Sequence, residues 1–149
     1  MSHVLVQEAD FDLGAEYAAL TDGRMDIGGI GAFIGTVRQD EGSSLSALLL
    51  EHYPGMTERA ISRIVAEAEH RWELQGCTVI HRVGRLPPGA NIVLVLAASA
   101  HRQAALEATA FLIDWLKTKA PFWKREEFVN GSVTWVEARE SDEAAAARW

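Results

Sequence analysis

The chain has 149 residues, of which 48% are hydrophobic and 23% charged, and its formal net charge is −7. This length predicts one domain, residues 1–149, and the acidic balance argues against charge-driven binding to nucleic acid or anionic membranes, although a local basic pocket for a small anion stays compatible with it. The single cysteine, Cys77, excludes an intramolecular disulfide, and the N-terminus lacks the basic region and long apolar core of a signal peptide, so we expect a cytoplasmic protein.

The N-terminal half of the chain predicts three strands and two helices. Asp12 is placed to cap the first helix, and apolar residues recur at helical spacing up to Trp72 in the second. Pro54-Gly55 marks a turn before that second helix. The strands are predicted at 3–9, 27–39 and 45–53, and the helices at 13–22 and from Thr57 to Trp72.

The C-terminal half predicts strands at 77–84 and 91–100 and a helix over 102–119 that Pro121 stops. Asn130-Gly131 lies between two strand-like runs and gives the strongest hairpin signal in the chain. The Ala-rich tail, 140–149, is either a short helix or a loose arm. These elements predict an α+β domain with a mixed or antiparallel sheet and two long helices against it.

Several familiar site patterns are missing. The five histidines are scattered and Cys77 has no CxxC partner, so we predict no metal site. The glycine-rich run 28–35 lacks the GxGxxG order and opens no helix, which favours close backbone approach over phosphate binding. Cys77 opens an apolar strand, where a cysteine is typically a core residue.

Lysine is confined to one stretch, 116–128, which holds Lys117, Lys119 and Lys124, whereas the other eleven basic residues are arginines. An amine loses its proton when it is buried or crowded by cations, which a guanidinium does not. Lysine retained here therefore suggests a need for an amine, and the turn at Pro121 is placed to bring Lys117 and Lys124 to one pocket. The alternative is a solvated cation cluster at a helix end.

Two further basic groups lie at element ends. Ser99, His101 and Arg102 stand where a buried strand gives way to a helix, whose free N–H groups favour anions. Arg38 ends the run "GTVR" at the exit of a strand. Taken with the lysines, these groups suggest a pocket for a small phosphorylated ligand.

The same segments resemble the large, catalytic subunit of molybdopterin synthase. The matching runs follow the family order over nearly the whole chain, and the two longest are the most specific. The runs are "FIGTVR" (33–38), "LEHYPGMTERA" (50–60), "VIHRVGRLPPGA" (79–90), "ASAHRQAALEA" (98–108), "LKTKAPFWKRE" (116–126) and "WVEARESD" (135–142).

The resemblance implies a fold of the α/β-hammerhead type and an enzyme of molybdenum-cofactor biosynthesis with no cofactor of its own. Its substrate would be cyclic pyranopterin monophosphate. The sulfur would come from a thiocarboxylate on the C-terminal Gly-Gly of a small ubiquitin-like subunit, and two transfers would form the dithiolene of molybdopterin. Two large subunits would pair centrally, each binding one small subunit, in a heterotetramer.

The resemblance also implies roles for individual residues. Lys117 and Lys124 match the active-site lysine pair, and Lys119 matches a position that needs only a cation. The residues expected to contact substrate are Thr36, Val37, Arg38, His101, Arg102, Arg125 and Glu126. The basic side chains would neutralise the phosphate, and the lysines would act on the attacking thiocarboxylate, the leaving oxygen and the carbonyl at the partner's terminus. We further expect one lysine to titrate low because cations crowd it.

A second hypothesis is a docking module that binds a ubiquitin-like tail or a phosphorylated pterin without chemistry. Such a module would not need both lysines, so the complete basic set favours the enzyme. RNA binding through the Lys/Arg/Trp stretch is disfavoured by the acidic remainder of the chain. The order of the two transfers, and whether a lysine ever bonds covalently to the partner, stay open.

Overall fold

The computed structural model of the protein describes residues 2–149, which form two four-stranded sheets and four helices. The strands are β1 (Ser2–Gln7), β2 (Gly29–Thr36), β3 (Leu45–His52), β4 (Gly76–Arg82), β5 (Gly84–Leu86), β6 (Asn91–Ser99), β7 (Phe122–Phe128) and β8 (Val133–Val136). The helices are α1 (Leu13–Thr21), α2 (Met56–Trp72), α3 (Arg102–Thr118) and α4 (Glu140–Ala147). Among these helices none is both long enough and apolar enough to cross a membrane.

The first sheet is mixed and has the order β1-β4-β6-β2, with β1 parallel to β4 and the other pairs antiparallel. Side chains alternate between its two faces. On one face Val79 and Val95 pack against α2 and α3. On the other face Ile80 and Leu94 pack near Phe11 and Leu20, which flank or belong to α1. The two central strands are therefore buried on both sides, as their continuous apolar sequence predicts.

The glycines of β2 allow α3 to approach closely. A side chain at Gly31 would overlap the Thr109 hydroxyl and the Ala105 carbonyl, and one at Gly28 would overlap the Ala100 carbonyl. The interpretation of this glycine run as a place of close backbone approach is thus confirmed, and α3 packs along β2.

The second sheet is antiparallel throughout, with the order β5-β3-β7-β8. The predicted hairpin joins β7 to β8, and Gly131 in its turn has φ 88°, a value that favours glycine. A smaller core cluster that includes Leu50 and Leu86 packs behind this sheet, with Phe122 against it. Phe122 also packs against the main cluster, so it lies where the two cores meet.

The predicted α+β architecture with two long helices and a C-terminal hairpin is confirmed. The chain forms two sheets, of which one is mixed and the other antiparallel. Several element ends differ from prediction by one to three residues. Strand β2 ends at Thr36, after a bulge, rather than at 39. Helix α2 begins at Met56, one residue early, after Gly55 with φ 83°. The three-residue strand β5 was not predicted.

The C-terminal tail contains helix α4, and its last residue, Trp149, packs against the rest of the protein. The Trp149 indole N–H donates to Asp114 Oδ2 at 2.6 Å, and the ring meets Trp72 and Phe111 edge-on at centroid distances of 5.6 and 5.8 Å. Of the two forms expected for residues 140–149, the short helix is correct, and it packs against α3.

Candidate active site

Lys124 lies on the face of the second sheet that is turned toward the core. In the pairing of β3 with β7, Lys124 is opposite Leu50, and Phe122 is opposite His52. Opposite residues extend to the same face of an antiparallel pair, and Leu50 is only 2% exposed. The Lys124 side chain is therefore directed inward, where it is partly buried.

Lys117 approaches Lys124 from the last turn of α3. Residues 119–121 turn the chain between α3 and β7, and the Thr57 hydroxyl donates to the Pro121 carbonyl at 3.3 Å. The bend at Pro121 brings the two amines close enough for the charge of Lys117 to act on Lys124.

The amine of Lys124 titrates unusually low. Burial first, and the positive charge of Lys117 second, lower the pKa of Lys124 from 10.5 to about 8, while the carboxylate of Asp142 in α4 opposes them. The low pKa agrees with expectation, but crowding by a cation is the lesser cause. A pKa near 8 keeps both the amine and the ammonium available near neutral pH.

Lys119 lies apart from this pair. Its backbone N–H caps α3 by donating to the Trp115 carbonyl at 2.8 Å, and its side chain is exposed. It lines a cleft of about 250 Å³ between α2, α3 and α4, together with Glu67 and Trp149. This separation fits the assignment of Lys119 as an ordinary cation.

His81 was missed by sequence reasoning, yet it lies beside the lysine pair. Its ring, in β4, is 4% exposed and stacks on Phe122 with the centroids 3.8 Å apart and the planes at 18°. Burial lowers the pKa of His81 to about 3, and the charges of Lys124 and Lys117 act in the same direction. The imidazole is therefore neutral at physiological pH.

Thr36, Val37 and Arg38 lie where β2 leaves the first sheet. The Val37 side chain is 4% exposed in the smaller core cluster, and its N–H and C=O are bonded to Ala90 and Gly89 at 2.8 and 2.7 Å. Val37 therefore anchors the segment, while Thr36 and Arg38 are exposed. Arg38 pairs with Asp40 at 2.9 Å on the surface, and this exposed pair can exchange partners easily.

His101 and Arg102 lie at the opposite end of β2. Gly29 pairs with Ser99, whereas Thr36 pairs with Asn91, so about 23 Å of strand separates the two ends. Helix α3 starts beside Gly29 and runs along β2 for about 25 Å, which carries Lys117 away from Arg102. One chain therefore does not bring His101 and Arg102 to the lysine pair.

Arg125 and Glu126 fall on different faces of β7. Arg125 alternates with Lys124 and extends outward, where it pairs with Glu51 at 3.1 Å and lies 5.3 Å from the Trp135 ring centroid. The structure thus places Arg125 away from the amine of Lys124. Glu126 shares the inner face with Lys124 and is partly buried.

Residues 2–149 give little support for a metal site or a reactive cysteine. Within residues 2–149 no three His, Cys, Asp or Glu side chains gather as a metal site would require. Burial raises the pKa of Cys77 to about 12, so it stays a thiol in the core, as predicted. Lys124 and His81 are the neighbouring groups whose pKa values are lowered.

Comparison with known proteins places the chain among proteins of molybdopterin biosynthesis. The family model described as MoaE protein matches residues 6–119. A molybdopterin synthase catalytic subunit of Mesorhizobium japonicum is 60% identical over 98% of this chain and 92% of its own length.

Solved structures agree with the sequence comparison. The molybdopterin biosynthesis MoaE protein of Burkholderia ambifaria superposes with a TM-score of 0.84 at 47% identity, covering 100% of this chain and 98% of the other. A molybdopterin synthase structure from Staphylococcus aureus gives 0.80 at 26% identity, covering 88% and 94%. The chain therefore belongs to the MoaE protein family, whose curated members are named molybdopterin synthase catalytic subunits.

Proposed function

We propose that this chain is the catalytic subunit of a molybdopterin synthase, which transfers sulfur from the C-terminal thiocarboxylate of a small ubiquitin-like subunit to cyclic pyranopterin monophosphate. The observation that carries the proposal is the partly buried amine of Lys124 near the charge of Lys117, with the pKa of Lys124 lowered to about 8. Burying a charged amine costs free energy, so a solvated cation cluster would leave all of its amines exposed.

The lysine pair suits the charge changes of this reaction. When the thiocarboxylate sulfur attacks a pterin carbon, an oxygen must leave, and an ammonium at Lys124 can give it a proton. The retained charge of the neighbouring lysine would stabilise the attacking thiocarboxylate. It would also stabilise the negative charge that develops on the acyl oxygen when water attacks the resulting thioester, which breaks the acyl C–S bond and releases the partner as a carboxylate. Lys124 recovers its proton from water, since a pKa of about 8 favours the protonated form at pH 7.

The substrate phosphate would be held by Arg38 together with His101 and Arg102. Because about 23 Å of β2 separates Arg38 from the other two in one chain, we propose that a second copy supplies His101 and Arg102 to each site. A dimer of this chain, with one small subunit on each copy, would then carry two composite sites. The word "subunit" in the names of the relatives supports an assembly with another chain.

The test is to mix the purified protein with a thiocarboxylated small subunit and cyclic pyranopterin monophosphate and to measure molybdopterin. Wild-type protein should form it, and Lys124→Arg should lose at least about tenfold in turnover, because a guanidinium cannot release a proton near neutral pH. Lys117→Arg should lose a similar factor, because a planar guanidinium cannot place its charge where the compact ammonium lies. Lys119→Arg is the matched control and should keep wild-type turnover.

Two results would contradict the proposal, the first for the role of Lys124 and the second for the sulfur transfer itself. Full turnover in Lys124→Arg would show that no amine is needed there. Tight binding of the partner tail or the pterin by wild-type protein without product would instead indicate the non-enzymatic docking module.

A further inference from the structure

His81 is a buried titratable side chain that the proposed sulfur transfer leaves unused. It lies in β4 of the first sheet, whereas Lys124 lies in β7 of the second. Phe122 connects them, because it stacks on the His81 ring and lies two residues before Lys124 on the same face of β7. The imidazole is thus in direct contact with the strand that carries the amine.

The tautomer of His81 is fixed by its surroundings. Nδ1 is 2.8 Å from the Arg82 carbonyl oxygen, which is an acceptor only, so Nδ1 carries the hydrogen. A ring that is 4% exposed and near two lysines does not accept a second proton, which leaves Nε2 with a bare lone pair. Nε2 is the ring nitrogen farther from Cα along the side chain.

Resting on the proposed sulfur transfer, we propose that His81 is a positioning residue for Lys124. Its ring, stacked on Phe122, sets the β7 backbone that carries the amine, and its bare Nε2 accepts a hydrogen bond from that amine in the substrate complex. Hydrogen bonds at active sites often close only when substrate is bound. A neutral acceptor orients the ammonium without adding a third positive charge, which a lysine or a protonated histidine would do.

The charged groups around this contact come from four elements. Lys117 of α3, His52 of β3 and Lys124 of β7 all act on the His81 ring, and Asp142 of α4 acts on Lys124. Burial is the main reason that the pKa of His81 is low and the ring stays neutral over the working pH range, and three of these neighbours, which carry or can carry positive charge, act in the same direction. His81 therefore contributes no ionisation to the pH profile between 5 and 8.

Two variants distinguish the contribution of the His81 ring from that of its Nε2 lone pair. His81→Phe keeps an aromatic stack on Phe122 and removes the acceptor, and His81→Gln places an amide oxygen near the Nε2 position and removes the ring. We expect His81→Phe to lower kcat about tenfold with KM for the pterin changed less than about twofold, and His81→Gln to recover part of kcat. His70→Phe, an exposed histidine of α2, is the control and should be neutral.

The amine itself can be observed without any turnover. With three lysines in the chain, reductive ¹³C-methylation gives few NMR signals, which Lys→Arg variants assign. With a pterin phosphate bound, the state in which the hydrogen bond closes, loss of the acceptor should lower the titration midpoint of Lys124 by about one pH unit in His81→Phe. An unchanged midpoint together with wild-type kcat would show that the ring only fills space, and would overturn the proposal.

The wild-type protein provides a test that does not depend on the folding of a variant. Histidine ¹⁵N NMR distinguishes the tautomers, and we expect His81 to show a protonated Nδ1 and a bare Nε2 from pH 5 to 8, with the Nε2 shift moving when a pterin phosphate binds. A protonated ring or a hydrogen on Nε2 would refute the assignment. Because neither NMR measurement requires product, failure of His81 is distinguishable from failure of the sulfurtransferase.

Discussion

At the scale of single residues, Lys124 shows how function and stability oppose each other. Burying an ammonium beside Lys117 destabilises the folded chain, because the charged form loses hydration and meets a like charge. The same burial lowers the pKa to about 8, where an amine can exchange protons with a substrate. Such a costly burial is expected where an amine acts in catalysis, which is the role proposed for Lys124.

Replacing Lys124 with methionine, which has a similar shape and no charge, should stabilise the protein at pH 7 by roughly 1–2 kcal/mol, allowing for the remaining solvent around this partly buried group. The pKa is lower in the folded state, about 8, than its ordinary value of 10.5, so the unfolded chain binds more protons between these values. Wild-type stability should therefore rise between pH 8 and 10.5, and the advantage of the variant should shrink there. Thermal unfolding at pH 7 and 9.5 measures this.

Lys119→Met is the control for that prediction, since Lys119 is exposed at the end of α3. It should change the melting temperature little, and equally at both pH values. An advantage of Lys124→Met that grows with pH would contradict the assigned direction of the pKa shift.

The sequence predicted part of this site and could not predict the rest. Lysine confined to one stretch pointed to Lys117 and Lys124, and Pro121 pointed to a bend between them. His81 and Asp142 carry no such signal, because their proximity to Lys124 depends on how distant elements pack. Arg125 adjoins Lys124 in sequence but extends to the other face, which strand alternation explains once the register with β3 is known.

At the scale of elements, the predictions that succeeded rest on short-range interactions such as a helix cap and a tight turn. The Asp12 side chain accepts from the Ala15 N–H at 2.9 Å and caps α1 as expected, and the Asn130-Gly131 turn formed its hairpin. Strand β5 was missed because three residues hold too little pattern, and only pairing with β3 makes them a strand. Sequence periodicity also could not predict which strands pair when they lie far apart in the chain.

The contact of β2 with α3 gives a prediction about packing. Gly31→Ala should destabilise the protein by roughly 1–3 kcal/mol, because the new methyl group would overlap the Thr109 hydroxyl and the Ala105 carbonyl. Gly29→Ala on the same strand is the control, since its nearest neighbour, Arg102 Cα, would be 3.5 Å away. Its effect should stay below about 1 kcal/mol. Denaturant unfolding compares the two, and equal losses would show that α3 can shift away from β2.

At the scale of the whole molecule, the long axis of β2 divides the basic residues into two groups. Lys117 and Lys124 lie toward the end where Arg38 leaves the sheet, and His101 and Arg102 lie at the other end. A single pterin phosphate is far smaller than the separation of about 23 Å. Either the second group serves another purpose or two copies of the chain combine their ends.

Wild-type molybdopterin formation by Arg102→Ala would show that the second group serves another purpose. If Arg102→Ala is inactive, mixing it with inactive Lys124→Ala tests whether two copies combine. If each site takes Lys124 from one copy and Arg102 from the other, a mixed dimer of Lys124→Ala and Arg102→Ala has one site that lost both residues and one intact site. Equal amounts unfolded and refolded together, so that the copies exchange, should regain about a quarter of wild-type molybdopterin formation, because half of the dimers are mixed. A site built within one chain would regain nothing, since every copy lacks one residue. Mixing Lys117→Ala with Lys124→Ala is the matched control and should stay inactive, because Lys117 and Lys124 act within the same copy.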